Sequence, residues 1–207
     1  MFENEINELE KTITQKENLK LIKKISKQFY HDHSVEECWI MINECYQSQY
    51  FQIQEIAVLL CGYIGHLKKE AVMFLKEQVS FHQDWRVQEV LAMAFDLHCS
   101  LIGYENCIPI IKEWLSSDHP NHRRAVSEGL RVWTSRPYFK DYPQVAIQIL
   151  SSYKEDESLY VRKSIGNALR DISRKHSSLI EKEISTWDLS NRKIKQVYTL
   201  AGRLIKK

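Results

Sequence analysis

Trp85 and Glu89 are one helical turn apart, and their types and spacing suit chemistry better than any other pair in this chain. They lie in HQDWRVQEVLAMAFD, residues 82–96, where Val87, Val90, Leu91, Ala94 and Phe95 recur at helical spacing as one apolar stripe. Trp85 and Glu89 stand about 200° around from Val87 and Leu91, on the face that the stripe does not bury. One reading is a functional carboxylate beside an aromatic wall. A cation, Arg124, then sits one repeat further on, on a neighbouring helix whose axis is about 10 Å away, within reach of the same bound group. The other reading has Trp85 packed on the preceding repeat and Glu89 solvated or salt-bridged to Arg124.

The elements that must position these residues recur along the chain. FQIQEIAVLLCGYIG, DWRVQEVLAMAFDLH, NHRRAVSEGLRVWTS and LYVRKSIGNALRDIS align, with RKIKQVYTLAGRLIK as a weaker fifth copy. Superimposing Glu55, Glu89, Arg124, Lys163 and Gln196 gives intervals of 34, 35, 39 and 33 residues. Second amphipathic segments alternate with them: EAVMFLKEQVS, CIPIIKEWLSS, YPQVAIQILSSY and SSLIEKEISTW. A helix pair at this period predicts an all-α fold, a right-handed α-solenoid of HEAT-like helix pairs, curved with a concave basic groove. A tetratricopeptide array would show a Trp-Leu-Gly-Tyr pattern that is absent, and a plain bundle would not explain the period. The whole of 1–207 is expected to be one solenoid domain, with N-terminal helices over 1–50 and four to five repeats over 51–207. Pro109, Pro120, Pro137 and Pro143 are expected at helix starts or linkers.

Each aligned position lies opposite its apolar stripe, so it is expected to face the groove. The stripes read Trp85, Glu89, Asp96; Arg124, Glu128, Arg131; Lys163, Asn167, Arg170; and Lys193, Gln196, Arg203. Basic residues also gather at helix starts in HPNHRR, YVRK and SNRK, natural seats for phosphates. Arg123, Arg131, Arg162, Lys163, Asn167, Arg170, Lys193 and Lys195 are therefore the candidate nucleic-acid contacts. A merely solvated basic face is the alternative.

Composition narrows the classes. Formal net charge is +2, with four Glu and no Lys or Arg over 1–10 and six Lys or Arg and no acid over 192–207, which suggests a polarised surface. Cys38, Cys45, Cys61, Cys99 and Cys107 form no CxxC and sit mostly among apolar helical residues. They read as free buried thiols of a reducing compartment. No signal peptide opens the chain and no apolar run approaches 18 residues, so a cytoplasmic protein that does not enter a membrane is expected. His31-Asp32-His33 lacks further ligands at metal spacing and reads as a loop or helix cap. GxGxxG, P-loop and GxSxG motifs are absent.

RRAVSEGLR at 123–131 and DESLYVRKSIGNALRDISRKHSSLI at 156–180, with the WxxxE of Trp85 and Glu89, resemble the HEAT-like repeat DNA glycosylases AlkC and AlkD. The resemblance covers roughly residues 50–200. It implies a curved clamp on double-stranded DNA that excises cationic N-alkylated purines such as 3-methyladenine or 7-methylguanine, leaving the lesion largely stacked where other glycosylases extrude it. Glu89 would stabilise the oxocarbenium-like sugar and position the attacking water. Trp85 would lie against the sugar, and Arg124 would hold a flanking phosphate bidentately. Asn167 replaces a second tryptophan of AlkD-type members, and VRKSIGNALRDISRKH is close to the AlkC-type form, which moves the chain toward AlkC. A monomer with no cofactor and no metal is expected. A DNA-binding paralogue without catalysis and a scaffold for an acidic partner are the alternative functions.

Overall fold

The computed structural model describes residues 1–13 and 18–205. Lys206 and Lys207 of the basic C-terminal run lie outside the described residues. Every regular element among those described is helical: α1 (Glu3–Ile13), α2 (Leu19–Asp32), α3 (Val35–Tyr46), α4 (Phe51–Ile64), α5 (Lys69–Glu77), α6 (Trp85–Ile102), α7 (Ile108–Leu115), α8 (Pro120–Gly129), α9 (Pro137–Asp141), α10 (Pro143–Ser151), α11 (Leu159–Ile184) and α12 (Arg192–Ala201), with short 3-10 turns between. The five aligned segments become α4, α6, α8, α11 and α12. The alternating segments become α5, α7, α10 and the second half of α11.

Local chemistry sets these boundaries. Pro120, Pro137 and Pro143 each open a helix and Pro109 sits in the first turn of α7, where a missing N–H costs nothing. Ser34 and Glu37 form a capping box at the start of α3: the Ser34 N–H donates to Glu37 Oε2 at 2.8 Å and the Glu37 N–H donates to Ser34 Oγ at 3.3 Å. His33 is the C-cap of α2, with its ring stacked on Phe29, so the His-Asp-His stretch is a helix end. The fourth and fifth segments are less separate than their periodicity predicts. SSLIEKEISTW continues the helix begun at Leu159, interrupted only by non-helical backbone at His176.

The residues fall into two compact units, Met1–Ile102 and Gly103–Lys207, so the repeats expected over 51–207 are shared between them. In the first, α4 is the centre, packed by α2, α3 and α6. It buries residues all round, including Gln52 and Glu55, and Glu55 is only 3% exposed. The expectation that every aligned position faces outward therefore fails at Glu55, because α4 is enclosed on more faces than a repeat helix packed on one side. Gly62 permits the α4–α6 contact, since a Cβ there would lie 2.7 Å from the Ala94 carbonyl oxygen. In the second unit α11 is the centre, packed by α8, α10 and α12. Gly166 meets α12 there, where a Cβ would stand 2.7 Å from Leu200 Cβ.

Candidate functional site

Trp85 is the first residue of α6 and is 67% exposed, while Glu89 one turn on is half-buried. The helix end that carries them is fixed from three directions. The Asp84 carboxylate accepts the Arg86 N–H at 2.9 Å and pairs with its guanidinium, Nε to Oδ1 at 2.9 Å and Nη2 to Oδ2 at 2.6 Å. Hydrogen bonding from Arg86 holds the Asp84 carboxyl below its ordinary range. The same guanidinium lies 3.5 Å from the Phe51 ring centroid at the start of α4. On the buried side, the Gln88 amide nitrogen is 2.9 Å from the carbonyl oxygens of Ser80 and His82, tying the preceding loop to the helix. Sequence patterning missed Arg86 and Gln88 as anchors because only their loop partners reveal the role. A large aromatic held in water by so rigid an end offers a flat apolar wall beside a carboxylate.

In the second unit Arg124 is half-buried on α8. Its neighbour Arg123 is turned inward: Nε and Nη2 grip Asp156 at 2.6 and 2.9 Å, and Nη1 donates to the Ser117 carbonyl at 2.6 Å. Arg162 is buried as well. Its guanidinium donates to Gln196 Oε1 at 2.9 Å and to the carbonyls of Asp156 and Glu157 at 2.6 and 2.9 Å. These two guanidiniums are occupied within the second unit and hold it together, unlike the nucleic-acid contacts expected of them. Each is 100° around its helix from the aligned cation beside it, Arg124 or Lys163, so it faces the neighbouring loop instead.

Lys163 is exposed, and Asn167 and Arg170 are half-buried on the same face of α11. Arg174 continues that face at the i+11 spacing, with its side chain mostly exposed, and was legible from periodicity alone. Lys193 pairs with Glu157 and Lys195 is exposed. The two stand about 200° apart around α12, so one flat ligand reaches only one of them.

Asp171, which no motif singles out, organises this surface. It is 8% exposed and receives Arg131 Nε at 2.8 Å and Arg170 Nη2 at 3.1 Å, with Arg174 Nε at 3.8 Å. Burial alone would push its carboxyl up; hydrogen bonds from Arg131 and Arg170 outweigh that and hold it below the ordinary carboxylate range. A folded pKa below the unfolded value of about 3.9 gives stability that is full above that pH and is lost as pH falls through the folded value. Asp171→Asn is therefore expected to be less stable than wild type at pH 7, the gap closing in urea titrations taken below about pH 4. A gap independent of pH would remove the charge from this account.

Other chemistries find little footing. Burial raises the Cys38 thiol to about 11 and the Cys45 thiol to about 12, and pushes Cys61 up as well, so none of the three supplies a thiolate at neutral pH. Cys99 and Cys107 are disulfide-bonded, which corrects the expectation of five free thiols. Apolar helical surroundings report burial, whereas disulfide formation depends on tertiary distance between sulfurs. Among the described residues no group of His, Cys, Asp and Glu is arranged to hold a metal ion, and no helix is long and apolar enough to cross a membrane.

The family model for DNA alkylation repair enzymes matches residues 18–196. The crystal structure of AlkD2 from Streptococcus mutans is 42% identical over all of both chains, with a TM-score of 0.96. That of smu.31 from Streptococcus mutans UA159 is 43% identical over all of both chains, with a TM-score of 0.93. The Pseudomonas fluorescens alkylpurine DNA glycosylase AlkC, bound to DNA containing an abasic site analogue, shares the fold at 22% identity. Its TM-score is 0.65, over 88% of this chain and 51% of that one. The uncharacterised protein YhaZ of Bacillus subtilis is 38% identical over 91 residues, 42% of this chain and about a quarter of that protein (26%). The AlkC-type lean suggested by VRKSIGNALRDISRKH and Asn167 does not extend over the chain, whose likeness to AlkD2 is much the greater. That run samples one helix, whereas the full superposition samples every helix length and loop.

Proposed function

Because the chain belongs to the DNA alkylation repair enzyme family, we propose that it cleaves the N-glycosidic bond of cationic N-alkylated bases, of the 3-methyladenine or 7-methylguanine type, in duplex DNA. The observation that carries this reading is the rigid α6 end, with Trp85 open to solvent and Glu89 one turn along it. As the C1′–N bond breaks, its electron pair leaves with the base, which is neutralised because it began as a cation. Positive charge develops on the deoxyribose, where a carboxylate lowers the barrier and a strong general acid is not required. Trp85 lies along the sugar, excluding bulk water. Water adds to C1′ and passes its proton to the Glu89 carboxylate, giving free base and an abasic site. Arg124 grips a phosphate, and Arg131, Lys163, Asn167, Arg170 and one of Lys193 and Lys195 supply the sequence-independent backbone contacts.

The test is release of free base from N-methylated duplex by the purified protein, separated by liquid chromatography and identified by mass. We expect 3-methyladenine or 7-methylguanine to appear with enzyme in excess over substrate. Tight, salt-sensitive duplex binding without release would replace the enzyme by a binding paralogue. Binding of acidic protein but not of duplex would point to a scaffold.

A further inference from the structure

Helix α2, outside the aligned repeats, carries Lys20, Lys23, Lys24 and Lys27, all exposed. Their spacing confines them to an arc of about 100° on one side of the helix. His31 extends the same line, and Ile22, Ser26 and Phe29 are buried on the other side. Within the chain this arrangement is unfavourable. It contains four like-charge contacts at i,i+3 or i,i+4 spacing: 20 with 23, 20 with 24, 23 with 27 and 24 with 27. It also places Lys20 in a first turn that has no acidic residue, against the positive end of the helix dipole.

Some cations elsewhere are neutralised within the chain: Lys68 meets Glu36, Lys11 meets Glu8, and Lys193 meets Glu157. Among the described residues, none of the four α2 lysine side chains has an ion-pair or hydrogen-bond partner. Of the glutamates of the preceding helix, Glu8 holds Lys11 and Glu10 accepts from Ser48 Oγ at 2.6 Å.

We propose that the α2 stripe is an anion-binding surface for the phosphate backbone of duplex DNA, contributed by the N-terminal helices of the first unit. This rests on the DNA-repair reading above and adds to it a contact that serves affinity and not chemistry. The stripe is about 10 Å long at 1.5 Å per residue, enough to face about three successive phosphates of one strand at 3.4 Å of axis each. Lysine suits this task, since it offers a point charge without base readout. A bilayer fits less well, because an interfacial helix inserts its apolar face, and here Ile22 and Phe29 are already buried in the unit.

The experiment compares wild type with the fourfold variant Lys20→Gln, Lys23→Gln, Lys24→Gln, Lys27→Gln in the full chain. Duplex affinity is measured by fluorescence anisotropy between 50 and 200 mM salt, beside base release at saturating protein. The slope of log affinity against log salt is expected to fall by about 2 to 3 on losing about three phosphate contacts. Saturated release should be unchanged, and the thermal midpoint no lower, since repulsion within α2 has been relieved. An unchanged slope in a variant that still releases base overturns the stripe and leaves the enzyme reading standing. No duplex binding by wild type overturns the enzyme reading and the stripe with it. Stripe-dependent binding to phosphatidylserine vesicles, with the duplex slope unaltered, gives the surface to a membrane and also overturns the proposal.

Discussion

Glu89→Gln is expected to slow release of methylated base by about 100- to 1,000-fold under single-turnover conditions, with duplex affinity nearly unchanged. The substitution keeps the shape of the side chain and removes only its charge. A carboxylate about 4 Å from a unit positive charge is worth about 4 kcal/mol at an effective dielectric of 20. Only the part of that attraction that grows between ground state and transition state counts toward rate. The scissile base is already cationic in the ground state, so the full figure is an upper bound, and about 1.4 kcal/mol corresponds to each tenfold. Glu89 is half-buried, not part of the core, and the end of α6 is held by Asp84, Arg86 and Gln88, so the protein should remain folded with only a small change in unfolding midpoint. Equal release by wild type and variant would remove Glu89 from the chemistry. Loss of release together with loss of folding would show the residue to be structural.

Asp156→Ala is expected to cost about 3–5 kcal/mol of stability, the usual penalty for breaking a buried ion pair from one side. The Asp156 and Arg123 side chains are only 5% and 11% exposed and bind through two parallel hydrogen bonds. Asp156 does more than neutralise. Its Oδ1 also accepts the Ser158 N–H at 2.8 Å at the start of α11, and its carbonyl accepts from Arg162. Removing the carboxylate strands the Arg123 guanidinium against the Ser117 carbonyl and frees the loop that joins α10 to α11. Urea unfolding followed by circular dichroism reads the effect. Arg123→Ala should show a comparable loss, and the double variant should lose less than the sum, because the two residues share one interaction. If Arg123→Ala leaves stability within about 0.5 kcal/mol, as surface substitutions usually do, and flattens the salt dependence of duplex binding, Arg123 is a surface cation after all.

These two residues mark the boundary between what can be read along the chain and what cannot. Glu89 and Arg123 are both charged, both lie on repeat helices and both border an apolar stripe. Helical geometry alone fixes the azimuth of each side chain, which is why the repeat period, the helix starts at the prolines, and the shared face of Trp85 and Glu89 were legible. The same rule reaches Arg174, which continues the line of Lys163, Asn167 and Arg170. It does not say what stands opposite a given azimuth. On α4 that direction is filled by other helices, so Glu55 is buried, while on α6 Trp85 meets solvent. Beside Arg123 stands a loop more than thirty residues away in sequence, bringing Asp156 to its guanidinium. Asp171 likewise has its roles from Arg131, forty residues earlier, as well as from its neighbour Arg170. The sequence by itself determined the helices, their period and the direction in which each side chain leaves its helix, because those follow from local backbone geometry. Only the tertiary structure decided which of those directions end in water and which in a partner, because a charge is satisfied by whatever packing brings near it, at any distance along the chain.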